Sequence, residues 1–171
     1  WHKAAERQQA QDFGDAILAA LEQPERADRA EALAAVEAPG ADGEAVLSLL
    51  TAAEEGSDDP AEAARRLLAL ADSTGEIPQA YRQIATLKAV AIPDSGLDAA
   101  DRRTRLERLT QAGGLVRLLA EEQLALLDIE TGNRDAALER LQRIVEDAEA
   151  TAGLRQRAAQ VIVALGGEPS A

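Results

Sequence analysis

The chain of 171 residues contains no cysteine and no methionine, and it has one histidine, one tryptophan, one tyrosine and one phenylalanine. Without cysteine it forms no disulfide and offers no thiolate ligand, and a lone histidine cannot supply an imidazole cluster for zinc. That histidine, His2, lies at a terminus, which is a poor place for the positioned base of a catalytic triad. These absences argue against nucleophilic and zinc-dependent chemistry.

Motifs for other chemistries are also missing. Gly113-Gly114 is not followed by the Lys-Ser/Thr pair of a phosphate-binding loop, and the acidic residues of segment 94–101 do not follow calcium-loop spacing. The adjacent glutamates 54–55 and 121–122 point to different parts of a helix, and we expect them on exposed faces. We therefore predict a non-catalytic protein with no catalytic, cofactor-binding or metal-binding residue. An enzyme with an α-superhelical body and a raised-pKa carboxyl group is a further alternative.

Positive charge is scarce, since the formal net charge is −13 and the sequence pI about 4.5. Nucleic acid binding requires clustered Lys and Arg, and an anionic membrane surface repels an acidic domain. We therefore predict no nucleic acid partner and no direct membrane contact. The excess of acid predicts either a solvated exterior or a partner that is steered by its basic charge.

The hydrophobic residues, 46% of the chain, are almost all Ala, Leu, Val and Ile. These residues and the many Glu, Arg and Gln favour helices, and apolar stripes at helical spacing recur along the chain. Helix starts are indicated at Asp59-Pro60, and helix ends at Gly75 and Gly132. We predict eight or nine helices with short connections in a single domain of residues 1–171, with a frayed tail at 166–171.

One pattern repeats. After Gly132 a small residue is followed by apolar residues at +4 and +7, and a second copy follows Gly56. In a tetratricopeptide hairpin such a small residue stands where the second helix crosses the first, because a larger side chain would force the helices apart. The two copies are Ala137, Leu141 and Ile144, preceded by Leu124-Ala125, and Ala63, Leu67 and Leu70; Ala32 and Val36 form a partial third. The sequence predicts a tetratricopeptide-like α-solenoid of antiparallel helix hairpins.

The chain as a whole resembles the periplasmic domain of the tetratricopeptide-like ancillary SecYEG translocon subunit family, in its α-proteobacterial form. The resemblance is carried by segments 1–21, 28–35, 136–147 and 152–159. It implies a transmembrane anchor upstream of Trp1 and a location on the periplasmic side of the inner membrane, and the lack of an initiator Met fits a chain that continues upstream. It places Trp1 at the membrane interface; alternatively Trp1 is a packed N-terminal residue. It transfers no functional residue.

These observations predict a protein–protein interaction scaffold without a cofactor. The resemblance implies secretion channel subunits, exported chains or periplasmic chaperones as partners, with handover of emerging chains. The sequence also leaves open a homodimer that forms through a terminal helix, because the ends of a helical array expose apolar faces. Tyr81 is either a binding anchor or a core residue. The alternative function is a cytosolic tetratricopeptide adaptor with a dedicated partner.

Overall fold

The computed structural model describes residues 2–170, which form nine α-helices and no strand. The prediction of an all-α fold is confirmed, and the packing of consecutive helices as hairpins is consistent with an α-solenoid-like architecture. The helices are α1 (His2–Leu21), α2 (Arg26–Ala34), α3 (Ala41–Glu55), α4 (Pro60–Ala71), α5 (Gln79–Ala91), α6 (Ala99–Leu109), α7 (Gly114–Glu130), α8 (Arg134–Glu146) and α9 (Ala152–Ala164).

Local sequence signals set the helix ends. The Asp59 carboxylate accepts a hydrogen bond of 3.1 Å from the backbone N–H of Glu62, and Pro60 occupies the first turn of α4. This is the predicted cap, which satisfies an N–H group that has no partner within the helix. Gly132 directly follows the C-cap of α7 with a φ of 82°, as predicted. Helix α4 instead ends at Ala71, and Gly75, with a φ of 114°, lies in the loop beyond it. A residue with a Cβ atom rarely adopts either angle.

The helices form two compact units, the first ending at Gly96 and the second beginning at Leu97. In the first unit each of α1 to α4 packs on the helix that follows it, and the same holds for α6 to α8 in the second. Each unit has its own buried cluster, around Leu33 in the first and around Leu141 in the second. The prediction of a single domain stays a prediction, which separate expression of the units tests.

The small residues at the predicted helix crossings are buried. Ala63 and Ala137 are both completely inaccessible to solvent, so the sequence identified their environment correctly. Their apolar partners at +4 and +7 are buried as well: Leu67 and Leu70, and Leu141 and Ile144. In the partial third copy, Ala32 and Val36 pack half-buried against the first unit's core.

The residues after α9 lie against α8. The Gln142 amide donates a hydrogen bond of 2.6 Å to the carbonyl of Glu168, and the Ser170 hydroxyl donates one of 2.7 Å to Glu146. The sequence predicted a frayed tail at 166–171, whereas residues 168 and 170 form hydrogen bonds with α8. Trp1, for which a membrane-interface position was predicted, lies outside the described residues. Within residues 2–170 no helix is long and apolar enough to cross a membrane.

Candidate protein-binding cleft

A cleft of about 450 Å³ opens in the first unit, between the C-terminal ends of α3 and α5 and beside the start of α4. Helix α4 packs against both α3 and α5, and so sets the spacing of the two walls. The lining residues are Leu49, Ala52, Ala53, Gly56, Ser57, Pro60, Leu67, Lys88, Ala91, Ile92, Pro93 and Asp94.

Most of the lining is apolar. Ala52 and Leu67 are buried, whereas Leu49 and Ile92 are half-buried and keep accessible apolar surface. Leu67 is the +4 residue of a predicted repeat, so the pattern that builds the hairpin also supplies the apolar base of the cleft. Pockets that bind other molecules are usually concave and apolar with a few polar groups, which describes this lining.

Gly56 lets the chain turn tightly at the mouth of the cleft. Its φ is 43°, and a Cβ atom there would lie 3.1 Å from the carbonyl oxygen of Ala53 and 3.1 Å from a guanidinium nitrogen of Arg26. A larger residue would therefore need an unfavourable backbone conformation, and its Cβ atom would crowd these two atoms. The turn leads directly into the start of α4, where Pro60 lines the cleft.

Two charged residues line the cleft, Lys88 on α5 and Asp94 after it. Both are exposed, and neither has an ion-pair partner within residues 2–170. Asp94 has a φ of 58°, a left-handed conformation that Asp tolerates better than most residues. Asp58, which is next to the lining residue Ser57, is also exposed and without an ion-pair partner in the described part of the chain.

The glutamate pair at the end of α3 fixes the wall of the cleft. Glu54 contacts Arg29 of α2 at 2.8 Å, and Glu55 contacts Arg66 of α4 at 2.7 Å. The side chains of Glu54 and Glu55 are 22% and 10% exposed, so the prediction of an exposed face was wrong for them. Each carboxylate meets an arginine of a different helix, which joins α3 to both neighbours.

The second glutamate pair behaves in the same way. Glu121 contacts Arg140 of α8 at 2.7 Å, and Glu122 contacts Arg157 of α9 at 2.8 Å. Both side chains are less than one quarter exposed, so the exposed-face prediction was wrong here too. These ion pairs connect α7 to the two helices that follow it. The glutamates therefore stabilise the packing of the helices.

Asp128 is the buried charge that the sequence analysis missed. It lies on α7 with 2% of its surface exposed, 2.7 Å from Arg103 of α6 and 2.8 Å from Arg140 of α8. A buried carboxylate needs such partners, because an unpaired charge in the interior is very unfavourable. Its position four residues after the buried Leu124 was an available signal, since a charge on an apolar stripe must be paired.

Two carboxyl groups of the second unit have clearly lowered pKa values. A hydrogen bond from Arg102 lowers the pKa of Glu130, and a hydrogen bond from the Glu149 backbone N–H, with a second from Arg117, lowers the pKa of Asp147. A general acid requires a raised pKa. These groups therefore give the enzyme alternative no support.

The remaining candidates lie apart. His2 is exposed at the start of α1, and Tyr81 is half-buried on α5 and does not line the cleft. A binding role for Tyr81 thus stays a prediction that this cleft does not use. Residues 2–170 contain no group of three or more His, Asp or Glu side chains arranged to hold a metal ion.

No protein-family model matches the chain, no curated protein matches its sequence, and no solved structure matches it. The cleft, its charges and the helix packing that supports it are therefore the features of this chain that bear on function.

Proposed function

We propose that this chain is a non-catalytic protein-binding scaffold, and that its cleft takes a segment of a partner protein. The observation that carries this is the apolar lining between α3 and α5, with accessible surface on Leu49 and Ile92. Its volume of about 450 Å³ suits a few side chains of a partner rather than a whole folded surface.

Binding would be reversible and would involve no covalent step. An apolar side chain of the partner that is fully buried in the cleft contributes about 1.5–3 kcal/mol, and a few such anchors usually dominate an interface. The ion pairs Glu54–Arg29 and Glu55–Arg66 support the wall formed by α3. A wall that is already in place keeps the cost of ordering the site low.

For the cellular setting we propose a membrane-anchored scaffold on the periplasmic side of the inner membrane, associated with the secretion translocon. Its partners would be channel subunits, exported chains or periplasmic chaperones, and its role the handover of emerging chains. The support for this setting is the resemblance of segments 1–21, 28–35, 136–147 and 152–159 to that translocon subunit family.

Photo-crosslinking tests both the cleft and the setting. A photoreactive residue replaces Ala91, which is exposed in the cleft, or Ala80, which is exposed at the other end of the same helix. The full-length protein is crosslinked in its native membranes, and the products are identified by mass spectrometry. We expect exported chains, chaperones or channel subunits from position 91 and a much lower yield from position 80.

Equal yields from the two positions would contradict the cleft as the binding site. Products that contain only cytosolic proteins would contradict the proposed setting and favour the cytosolic adaptor. An absence of protein products at both positions would contradict the scaffold function itself.

A further inference from the structure

We infer that the segment bound in the cleft is apolar and carries basic residues beside its apolar core. This inference rests on the proposed function, because it specifies the chemistry of the partner for the same cleft. Three observations support it: the charge of the first unit, the carboxylates at the cleft and the engagement of three of the four nearby arginines.

The acidic excess of the chain is concentrated in the unit that contains the cleft. Residues 1–96 include 18 of the 31 acidic and 8 of the 18 basic residues, a net charge of −10, whereas residues 97–171 have a net charge of −3. A summed charge of one sign attracts an oppositely charged partner and accelerates its association. The first unit therefore favours a basic partner much more than the second unit does.

Two free carboxylates stand at the cleft. Asp94 lines it and Asp58 adjoins it, both exposed and both without an ion-pair partner in residues 2–170; the cations there are Lys88, which lines it, and Arg26, whose guanidinium group lies near Gly56. Free carboxylates can accept basic side chains of a partner without breaking an existing ion pair. Because such pairs form at an exposed rim, each is expected to strengthen binding only about twofold to fivefold.

Three of the four nearby arginines are already engaged by carboxylates of the same unit. Arg29, Arg65 and Arg66 are paired with Glu54, Glu62 and Glu55 respectively. An acidic partner would find Lys88 in the lining and Arg26 beside Gly56, two cations within a unit of strong negative charge. The apolar lining requires an apolar core in the bound segment. The carboxylates at the rim favour basic residues on either side of that core.

Peptide binding to the full chain tests this inference. Two fluorescent peptides share one Leu- and Ala-rich core, which is flanked by lysines in the first peptide and by glutamates in the second. Fluorescence anisotropy gives their dissociation constants. At about 50 mM salt we expect the lysine peptide to bind at least fivefold more tightly, and at about 500 mM salt the difference should shrink because screening weakens rim charges.

A pair of double variants assigns the preference to the cleft. Asp58→Asn with Asp94→Asn removes the two rim charges, and we expect it to reduce the preference for lysine to about twofold or less. The matched control, Asp15→Asn with Glu76→Gln, removes two exposed charges of the same unit outside the cleft lining and should leave most of the preference.

The outcomes separate the inference from the proposed function. Equal binding of the two peptides, or tighter binding of the glutamate peptide, would overturn the basic flank and leave the protein-binding cleft intact. An equal effect of the two double variants would overturn the rim as its source. Binding of neither peptide at any salt concentration would contradict the cleft as a binding site, and the inference would fail with it.

Discussion

Gly43 lies near the start of α3, where a Cβ atom would stand 2.9 Å from Cδ of Pro39 and 3.2 Å from Cβ of Ala38. Neither neighbour can move away easily, because one is a ring atom and the other is attached to the backbone. Gly14 lies within α1, and a Cβ atom there would have no heavy atom within 4 Å. Two helical glycines of one unit are therefore in opposite environments.

Alanine at these two positions should change stability in opposite directions. Gly14→Ala should raise the free energy of unfolding by about 0.5–1 kcal/mol, since alanine favours the helix. Gly43→Ala gains the same propensity but creates a clash whose cost is about 1–3 kcal/mol, so a net loss is expected. Urea unfolding followed by circular dichroism measures both, and stabilisation by Gly43→Ala would contradict the packing at Pro39.

Single residues also show how far the sequence allowed prediction. The burial of Ala63 and Ala137 followed from spacing alone, because the periodicity of a helix fixes which residues share a face. The partners of Glu54, Glu55 and Asp128 did not follow, since their arginines lie 11 to 25 residues away and their approach depends on how helices pack. Polar contacts between helices need the tertiary structure.

At the scale of the helix hairpin, Ala137 and Ala136 provide a matched pair on α8. Ala137 is completely buried, whereas Ala136 is exposed. Ala137→Leu should lower the free energy of unfolding by about 1–3 kcal/mol or more, because the added atoms must separate packed helices. Ala136→Leu should change it by no more than about 0.5 kcal/mol.

Thermal and urea unfolding of the two variants measure this difference. Equal stabilities would contradict the helix crossing at Ala137. The hairpins themselves were predictable from the sequence, but the cleft was not. The cleft depends on the turn at Gly56 and on segment 92–94. Neither has a periodic sequence pattern from which its position in the fold could be predicted.

The ion pairs of the second unit predict a dependence of stability on pH. The pKa values of Glu130 and Asp147 are lowered in the folded chain by hydrogen bonds to their ionised forms. Groups of this kind contribute stability above their unfolded pKa, which is near 4, and the contribution is lost as pH falls through the lower folded pKa. Stability should therefore decline below about pH 4.

The double variant Glu130→Gln with Asp147→Asn should be less stable at pH 7 and should lose less stability on acidification. The matched control is Glu107→Gln with Glu139→Gln, which alters two exposed carboxylates that have no ion-pair partner in the described residues. Urea midpoints between about pH 7 and pH 2 give the profiles. Identical profiles for the two double variants would contradict the contribution of these hydrogen bonds.

At the scale of the whole molecule, the two compact units should fold separately. Each contains its own buried cluster, and each has enough residues to bury more than about half of its unfolded surface. Fragments 1–96 and 97–171 should each be helical and unfold cooperatively by circular dichroism. Fragment 1–77, which lacks α5, should lose cooperativity because α4 packs against α5. Two unfolded fragments would instead favour the single domain expected from the sequence.

The central claim is that the cleft beside Ala91 is where a partner segment binds, and filling the cleft tests it most directly. Ala91→Trp places a large ring in the cleft, and Ala80→Trp places the same ring at the other exposed end of α5. The measurement is the dissociation constant of whichever of the two peptides the unaltered chain binds more tightly. We predict that Ala91→Trp raises it at least about tenfold while Ala80→Trp leaves it within about twofold. Equal dissociation constants for the two variants would contradict the claim.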